Sequence, residues 1–160
     1  MTRGQRTRVA AYALVTDDAG RVLLCRIAPS VAPGEIWTLP GGGLEFGEPP
    51  RIAVLRELAE EAGYKGEIIE LADVADRVLA DTGRNGRLHA IRIVYRVRVV
   101  GGELRDEVDG STDTCRWVSR AEALRLNLGS LARHALTLLD TPPASGRDDR
   151  IDLADASTGA

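Results

Sequence analysis

Apolar positions along the chain fall into blocks whose period changes. Residues 9–15, Val-Ala-Ala-Tyr-Ala-Leu-Val, form a continuous apolar run behind a polar lead-in at 1–7 and predict a buried strand. Asp17-Asp-Ala-Gly20 supplies turn residues, and Arg21-Val-Leu-Leu-Cys-Arg26 supplies the returning strand of a hairpin. Residues 27–36 hold two prolines and a glycine and read as a loop. Trp37-Thr-Leu-Pro40 then leads into Gly41-Gly42-Gly43, and Pro49-Pro50 marks a helix start, because proline is tolerated in the first turn. Over 51–62 the period becomes helical: Val54, Leu55, Leu58 and Ala62 share a face, and Gly63 stands where a C-cap glycine closes a helix. Residues 67–77 predict a strand, 81–87 a polar hairpin loop. Over 89–100, Ile91, Ile93, Tyr95, Val97 and Val99 alternate with Arg92, Arg96 and Arg98, which predicts a half-buried strand ended by Gly101-Gly102. A strand at 114–118, a short helix at 120–125 capped by Ser119, and a last helix at 130–139 complete the pattern. Residues 141–160 carry few large apolar side chains and read as a flexible tail. Strands interleaved with helices predict one mixed α/β domain over residues 1–140.

Composition narrows the picture. At roughly 100–200 residues per domain, 160 residues make a single domain, and 44 % apolar with 28 % charged residues is ordinary globular usage. The chain has no run of about 18 apolar residues, so no membrane-spanning helix is expected. The basic start, Met1-Thr-Arg-Gly-Gln-Arg-Thr-Arg, lacks the small-residue cleavage site of a signal peptide. A net charge of −3 argues against nonspecific nucleic-acid binding, which needs a positive excess. Cys25 and Cys115 have no metal spacing and are expected as reduced, buried thiols of a cytoplasmic protein.

The informative chemistry lies in the predicted helix at 51–62 and the glycines ahead of it. At about 100° per residue, with Leu58 at zero, Glu61 lies near about −60°, Glu57 near about −100° and Glu60 near about −160°. Three carboxylates therefore line one flank at the edge of the buried face. Like charges at this spacing repel, far from the helix N-terminus that would favour them, so a cation should offset them. Arg56 neutralises part of the charge, and a divalent metal does so better. An all-oxygen donor set favours Mg2+ or Mn2+ over zinc. Such an ion can bridge a pyrophosphate and activate water, and glycines let backbone approach without a Cβ in the way. The constellation points to metal-assisted hydrolysis at phosphorus.

The segment resembles the box of the Nudix hydrolases, G-x5-E-x7-R-E-U-x-E-E-x-G-U, in which U is a bulky aliphatic residue. Gly42, Glu48, Arg56, Glu57, Glu60, Glu61 and Gly63 fill every fixed position; Leu58 fills the first U, and Tyr64 departs from the last. At average residue usage such a match by chance is on the order of one in a million. Residues 22–26 and 37–42 look like the family's approach to the box, and 116–122 like its late strand-then-helix element. The resemblance implies an α/β/α sandwich around a mixed sheet and a Mg2+- or Mn2+-dependent pyrophosphohydrolase acting on a nucleoside diphosphate linked to another group. Glu57, Glu60, Glu61 and the Gly42 carbonyl would then be metal ligands, one of the glutamates would handle the attacking water, and Arg56 would hold the acids, pairing with Glu48. A homodimer is common enough in the family to be an implied possibility.

The proline of ADP-ribose hydrolases is replaced by Ala80, and no tyrosine of dinucleoside polyphosphate hydrolases stands at 80–82. A MutT-like nucleoside triphosphate pyrophosphohydrolase is the reading left, with ADP-ribose or nucleotide-sugar hydrolysis and a catalytically silent nucleotide sensor as alternatives. Outside the box, Trp37 reads either as a packing anchor or as a base-stacking residue, and Arg26 either as a phosphate contact or as a solvated strand end. Glu107, Asp109 and Asp113 lie in a late acidic loop that could bring a base or an extra metal ligand over the site.

Overall fold

In the computed structural model, described here for residues 4–80 and 86–141, ten elements form two sheets flanked by helices. Strand β1 (Gln5–Val15) runs parallel to β6 (Arg87–Gly102) and antiparallel to β4 (Gly41–Gly43), and β5 (Tyr64–Leu79) closes the outer edge of β6. This mixed sheet has the order β4-β1-β6-β5. A second sheet, β3-β2-β7, joins β3 (Trp37–Thr38), β2 (Val22–Ile27) and β7 (Thr112–Val118), all antiparallel. Where one mixed sheet was expected, the strands divide between two.

The layers follow from strand parity. Ala11, Ala13 and Val15 of β1, with Tyr95 and Val97 of β6, pack against Ala53, Val54, Leu58 and Ala62 of helix α1 (Pro50–Ala62). The alternate residues Leu14 and Val94 face Leu131, Ala132, Ala135 and Leu136 of helix α3 (Ser130–Leu138). Short helix α2 (Arg120–Ala123) carries the capping box that Ser119 anticipates, completed by Glu122. The result is the α/β/α sandwich the sequence led us to expect.

Differences of extent have simple causes. Strand β1 begins four residues before its apolar run, because Gln5–Arg8 pair with 87–90 through backbone alone. Strands β5 and β6 likewise outrun their apolar cores and support each other as a long hairpin. Gly41–Gly43, expected as loop, is an edge strand: glycine has no side chain to show a period, yet its backbone pairs normally. Of the loop expected at 81–87, residues 81–85 lie outside the described residues, as do residues 1–3 and the tail beyond Thr141, while Arg87 already opens β6.

One expectation is overturned. Cys25 and Cys115 are not free thiols; they are joined by a disulfide between β2 and β7. They are direct partners in the ladder of these two strands, which the spacing of 90 residues along the chain could not reveal. Both are buried beneath α1, and the Cys115 sulfur lies 3.4 Å from the carbonyl oxygen of Glu61.

The disulfide makes a direct prediction. Protein unfolded in guanidinium without reductant should titrate no free thiol, and two thiols after reduction. In the chain-entropy account a loop of this size contributes up to about 4–5 kcal/mol, so reduced protein should melt well below oxidised protein. Two thiols found before reduction would show that the bond is not there.

Candidate active site

Helix α1 starts cleanly because Pro49 and Pro50 set its first turn, and it ends at Gly63, which adopts φ 73° and donates its N–H to the Ala59 carbonyl. A Cβ at Gly63 would strike the carbonyl oxygen of Glu103, so this position tolerates only glycine on two counts. Between these stops the helix turns its acids as the angular arithmetic requires. Glu61 is 1 % exposed, the Glu57 side chain 13 % and the Glu60 side chain 51 %. Exposure thus rises with angle from Leu58, which is the signature of a flank rolling out of the core.

Glu61 is the most constrained of the three. Its Oε2 accepts the Gly41 N–H at 2.8 Å and its Oε1 accepts the Ser111 hydroxyl at 3.3 Å. Burial pushes its pKa up to about 8; the Gly41 and Ser111 hydrogen bonds oppose that rise, while the charges of Glu57 and Glu107 add to it. Glu57 is also raised, chiefly by burial, against the pull of Arg56. The guanidinium of Arg56 organises the rest. Its Nε and Nη2 donate to the two oxygens of Glu48 at 2.8 and 2.9 Å, and its Nη1 donates to Glu57 and Glu60, each at 3.0 Å. Its Nη2 also reaches the Gly43 carbonyl at 3.3 Å. The paired guanidinium lowers the Glu48 pKa to about 2, so Glu48 is an anion that anchors Arg56.

The glycine strand completes the cradle. A Cβ at Gly42 would fall on the Glu57 carboxylate, and Gly41 holds φ 145° with a Cβ position filled by the backbone of Ala11 and Tyr12. No other residue lets the strand lie this close to the helix acids. The late acidic loop does reach the site. Glu107 accepts from the N–H and hydroxyl of Thr112 at 3.4 and 3.3 Å, and its charge acts on both Glu57 and Glu61. Glu107 is one of the three acids the sequence offers in this loop; Ser111 is not legible there, since a lone serine in a polar loop carries no signal.

The donor set suits a hard divalent cation: clustered carboxylate oxygens, one of them buried without a cation beside it, and a glycine cradle beside them. Among the described residues no three acidic, histidine or cysteine side chains are yet gathered closely enough to hold an ion, Arg56 standing between Glu57 and Glu60.

Two other residues fall elsewhere. Trp37, a possible base-stacking residue, is 5 % exposed in the α3-side core, and the Arg116 guanidinium lies 4.4 Å from its ring centroid. No ring face is left for a nucleobase, and we correct its role to packing. Arg26 is half-buried and gives both arms of its fork to Asp113, at 2.8 Å each, with Glu35 at 3.1 Å. That pairing also accounts for Asp113, which fixes the start of β7 against β2 instead of joining the glutamates.

Glu61 should make metal-free stability depend on pH. A carboxyl whose folded pKa is raised favours folding fully below its unfolded pKa of 4.5, and that contribution is lost as pH rises toward about 8. Between pH 5 and 8.5 in EDTA, Glu61→Gln should therefore gain on the native protein by an amount on the order of a few kcal/mol. Denaturant titrations of both proteins check this; parallel pH profiles would mean that Glu61 ionises freely in the folded state.

The geometry agrees with comparisons to known proteins. The sequence model of the NUDIX domain matches residues 6–139. The chain is 32 % identical over 148 residues to a Salmonella protein named nucleoside triphosphatase NudI, covering 83 % of this chain and 96 % of that protein. It is 46 % identical over 82 residues to a Mycobacterium tuberculosis protein named putative 8-oxo-dGTP diphosphatase 2, a match spanning 49 % of this chain and only 55 % of that relative. Among solved structures, a MutT NUDIX hydrolase from Burkholderia pseudomallei superposes with a TM-score of 0.68 at 30 % identity, over 83 % of this chain and 98 % of that one. With its glycine strand, its Arg56 fork and its graded helix acids in place, the chain belongs to the NUDIX domain family.

Proposed function

We propose that the protein is a divalent-metal-dependent pyrophosphohydrolase that splits a nucleoside triphosphate, ribo or deoxy, into a nucleoside monophosphate and pyrophosphate. The observation that carries this reading is the buried Glu61 carboxylate pinned to the Gly41 N–H beside Glu57 and Glu60 on one flank of α1. A carboxylate held in the core at this cost serves binding or chemistry better than stability. The names of the relatives, a nucleoside triphosphatase and a putative 8-oxo-dGTP diphosphatase, support the substrate class.

Glu57, Glu60, Glu61 and the Gly42 carbonyl would hold Mg2+ or Mn2+, which neutralises pyrophosphate charge and acidifies bound water when present. The chain's own residues then divide the work. Arg56, anchored on Glu48, keeps Glu57 and Glu60 at fixed positions. One of the helix glutamates takes the proton of the attacking water. The water oxygen bonds to one phosphorus of the anhydride nearest the sugar, and the bond from that phosphorus to the bridging oxygen breaks, so nucleoside monophosphate and pyrophosphate separate. The substrate is a small nucleotide rather than a nucleic acid, and the site of action is the cytoplasm. A disulfide is unusual there, but Cys25 and Cys115 are both buried from soluble reductants.

Two measurements test this. Glu61→Gln should cut turnover by at least about 100-fold with the fold retained, since the amide oxygen still accepts from Gly41; near-native turnover would remove Glu61 from the reaction. A phosphate-release screen with Mg2+ or Mn2+ should give signal when coupled to pyrophosphatase and supplied with ordinary or oxidised triphosphates. Signal only when coupled to phosphatase, on ADP-ribose or nucleotide sugars, would replace this reading with hydrolysis of those compounds. Silence with folded, metal-bound protein would favour a nucleotide sensor.

A further inference from the structure

The glycine strand has a second face. In its pairing with β1, Tyr12 stands opposite Gly41, Ala11 opposite Gly42 and Ala10 opposite Gly43. Successive strand residues point to opposite sides, so Gly42 faces the α1 carboxylates while Gly41 and Gly43 face away from them. On that far side a Cβ at Gly41 would stand 2.7 Å from Tyr12 Cδ1, and one at Gly43 would stand 2.9 Å from Arg8 Nη2. The Arg8 guanidinium therefore occupies the space a side chain at Gly43 would take, and its charge acts on the half-buried Tyr12 hydroxyl. On the neighbouring strand Arg92 pairs with Ala10 and shares this face. Its Nη1 donates to Ser130 Oγ at 3.1 Å, while its Nε is buried with no partner among the described residues.

Arg8 differs from the two arginines tied to carboxylates beside the site. Arg56 and Arg26 are spent on carboxylates. Arg8 is exposed, and among the described residues no carboxylate pairs with it. Across β4 from it, at Gly42, stands the Glu57 carboxylate, whose charge repels a polyphosphate. An anionic substrate needs cationic contact beyond what a metal on the acidic side supplies, and a guanidinium fork fits a phosphate in two-point contact. We propose that Arg8, set over Gly43, is a substrate-positioning residue that binds a phosphate oxygen of the nucleoside monophosphate half of the substrate, with Arg92 adding positive charge behind it. The assignment rests on the nucleotide reading above and adds to it a metal-independent contact on the far face of β4.

Calorimetric titration of the full chain in EDTA with GMP and with α,β-methylene GTP tests it. Native protein should bind both probes, Arg8→Ala should bind at least about tenfold more weakly, and Arg8→Lys, which keeps the charge and loses the fork, should lie between. Arg98→Ala removes an exposed charge held by Glu67 far from the glycine strand and should bind like the native protein. In turnover with Mn2+, the larger part of the Arg8→Ala defect should appear in KM, in contrast to the kcat defect of Glu61→Gln. Binding by Arg8→Ala within twofold of native, or no native binding to either probe in EDTA, overturns the proposal. If no nucleotide is hydrolysed yet Arg8→Ala still loses binding, the hydrolase reading fails and the Arg8 contact stands. If Arg8→Ala does not fold, Arg8→Lys decides: native affinity overturns the proposal and a clear loss supports it.

Discussion

The contact between the Glu61 carboxylate and the Gly41 N–H draws helix α1 and strand β4 into one unit. A carboxylate taken out of water is costly unless hydrogen bonds or a cation receive it. Here one backbone N–H and one serine hydroxyl receive it, from segments 20 and 50 residues away in the chain. The roll that Ala53, Val54, Leu58 and Ala62 give the helix sets its acids at graded depth, and the Glu61 contact ties that face to the glycine strand. The closeness of that approach dictates glycine at Gly41 and Gly42, since a side chain there would meet β1 backbone on one side and the Glu57 carboxylate on the other.

Arg56 complements this contact at the outer edge. A single guanidinium bridges Glu48, Glu57, Glu60 and the Gly43 carbonyl, so a loop, a helix and a strand are tied through one planar group with five donors. Lysine offers the same charge without the fork, and could not serve four acceptors in fixed directions. Repulsion among the helix acids is thereby lowered but not removed, and it adds to burial, the larger cause, in raising the pKa values of Glu57 and Glu61.

Behind the site the second sheet supplies rigidity. The Cys25–Cys115 bond links β2 to β7 directly under the helix turn that carries Glu61, and the Arg26–Asp113 pair ties the same two strands at their ends. Trp37, packed between the α3-side core and the Arg116 guanidinium, anchors the short strand that precedes the glycines. These residues act on the chemistry only by holding β4 and α1 still.

Periodicity determined α1, the alternation of β6 and the ordering of Glu61, Glu57 and Glu60 by depth, because helix and strand geometry is local and repeats, and Pro49-Pro50 with Gly63 set the ends of α1 to within one residue. The family resemblance likewise implied that Arg56 holds those acids and pairs with Glu48. Tertiary structure decided whatever depends on segments distant in sequence. The glycine strand was invisible because glycine carries no pattern, and the Cys25–Cys115 bond because strand register sets it. Glu107 and Ser111 gained their places from the path of a loop, and Trp37 lost its ring faces to neighbours the sequence does not place beside it. Arg8 is the sharpest case: on the chain it is one arginine in a polar lead-in, and only the pairing of β1 with β4 sets it over Gly43.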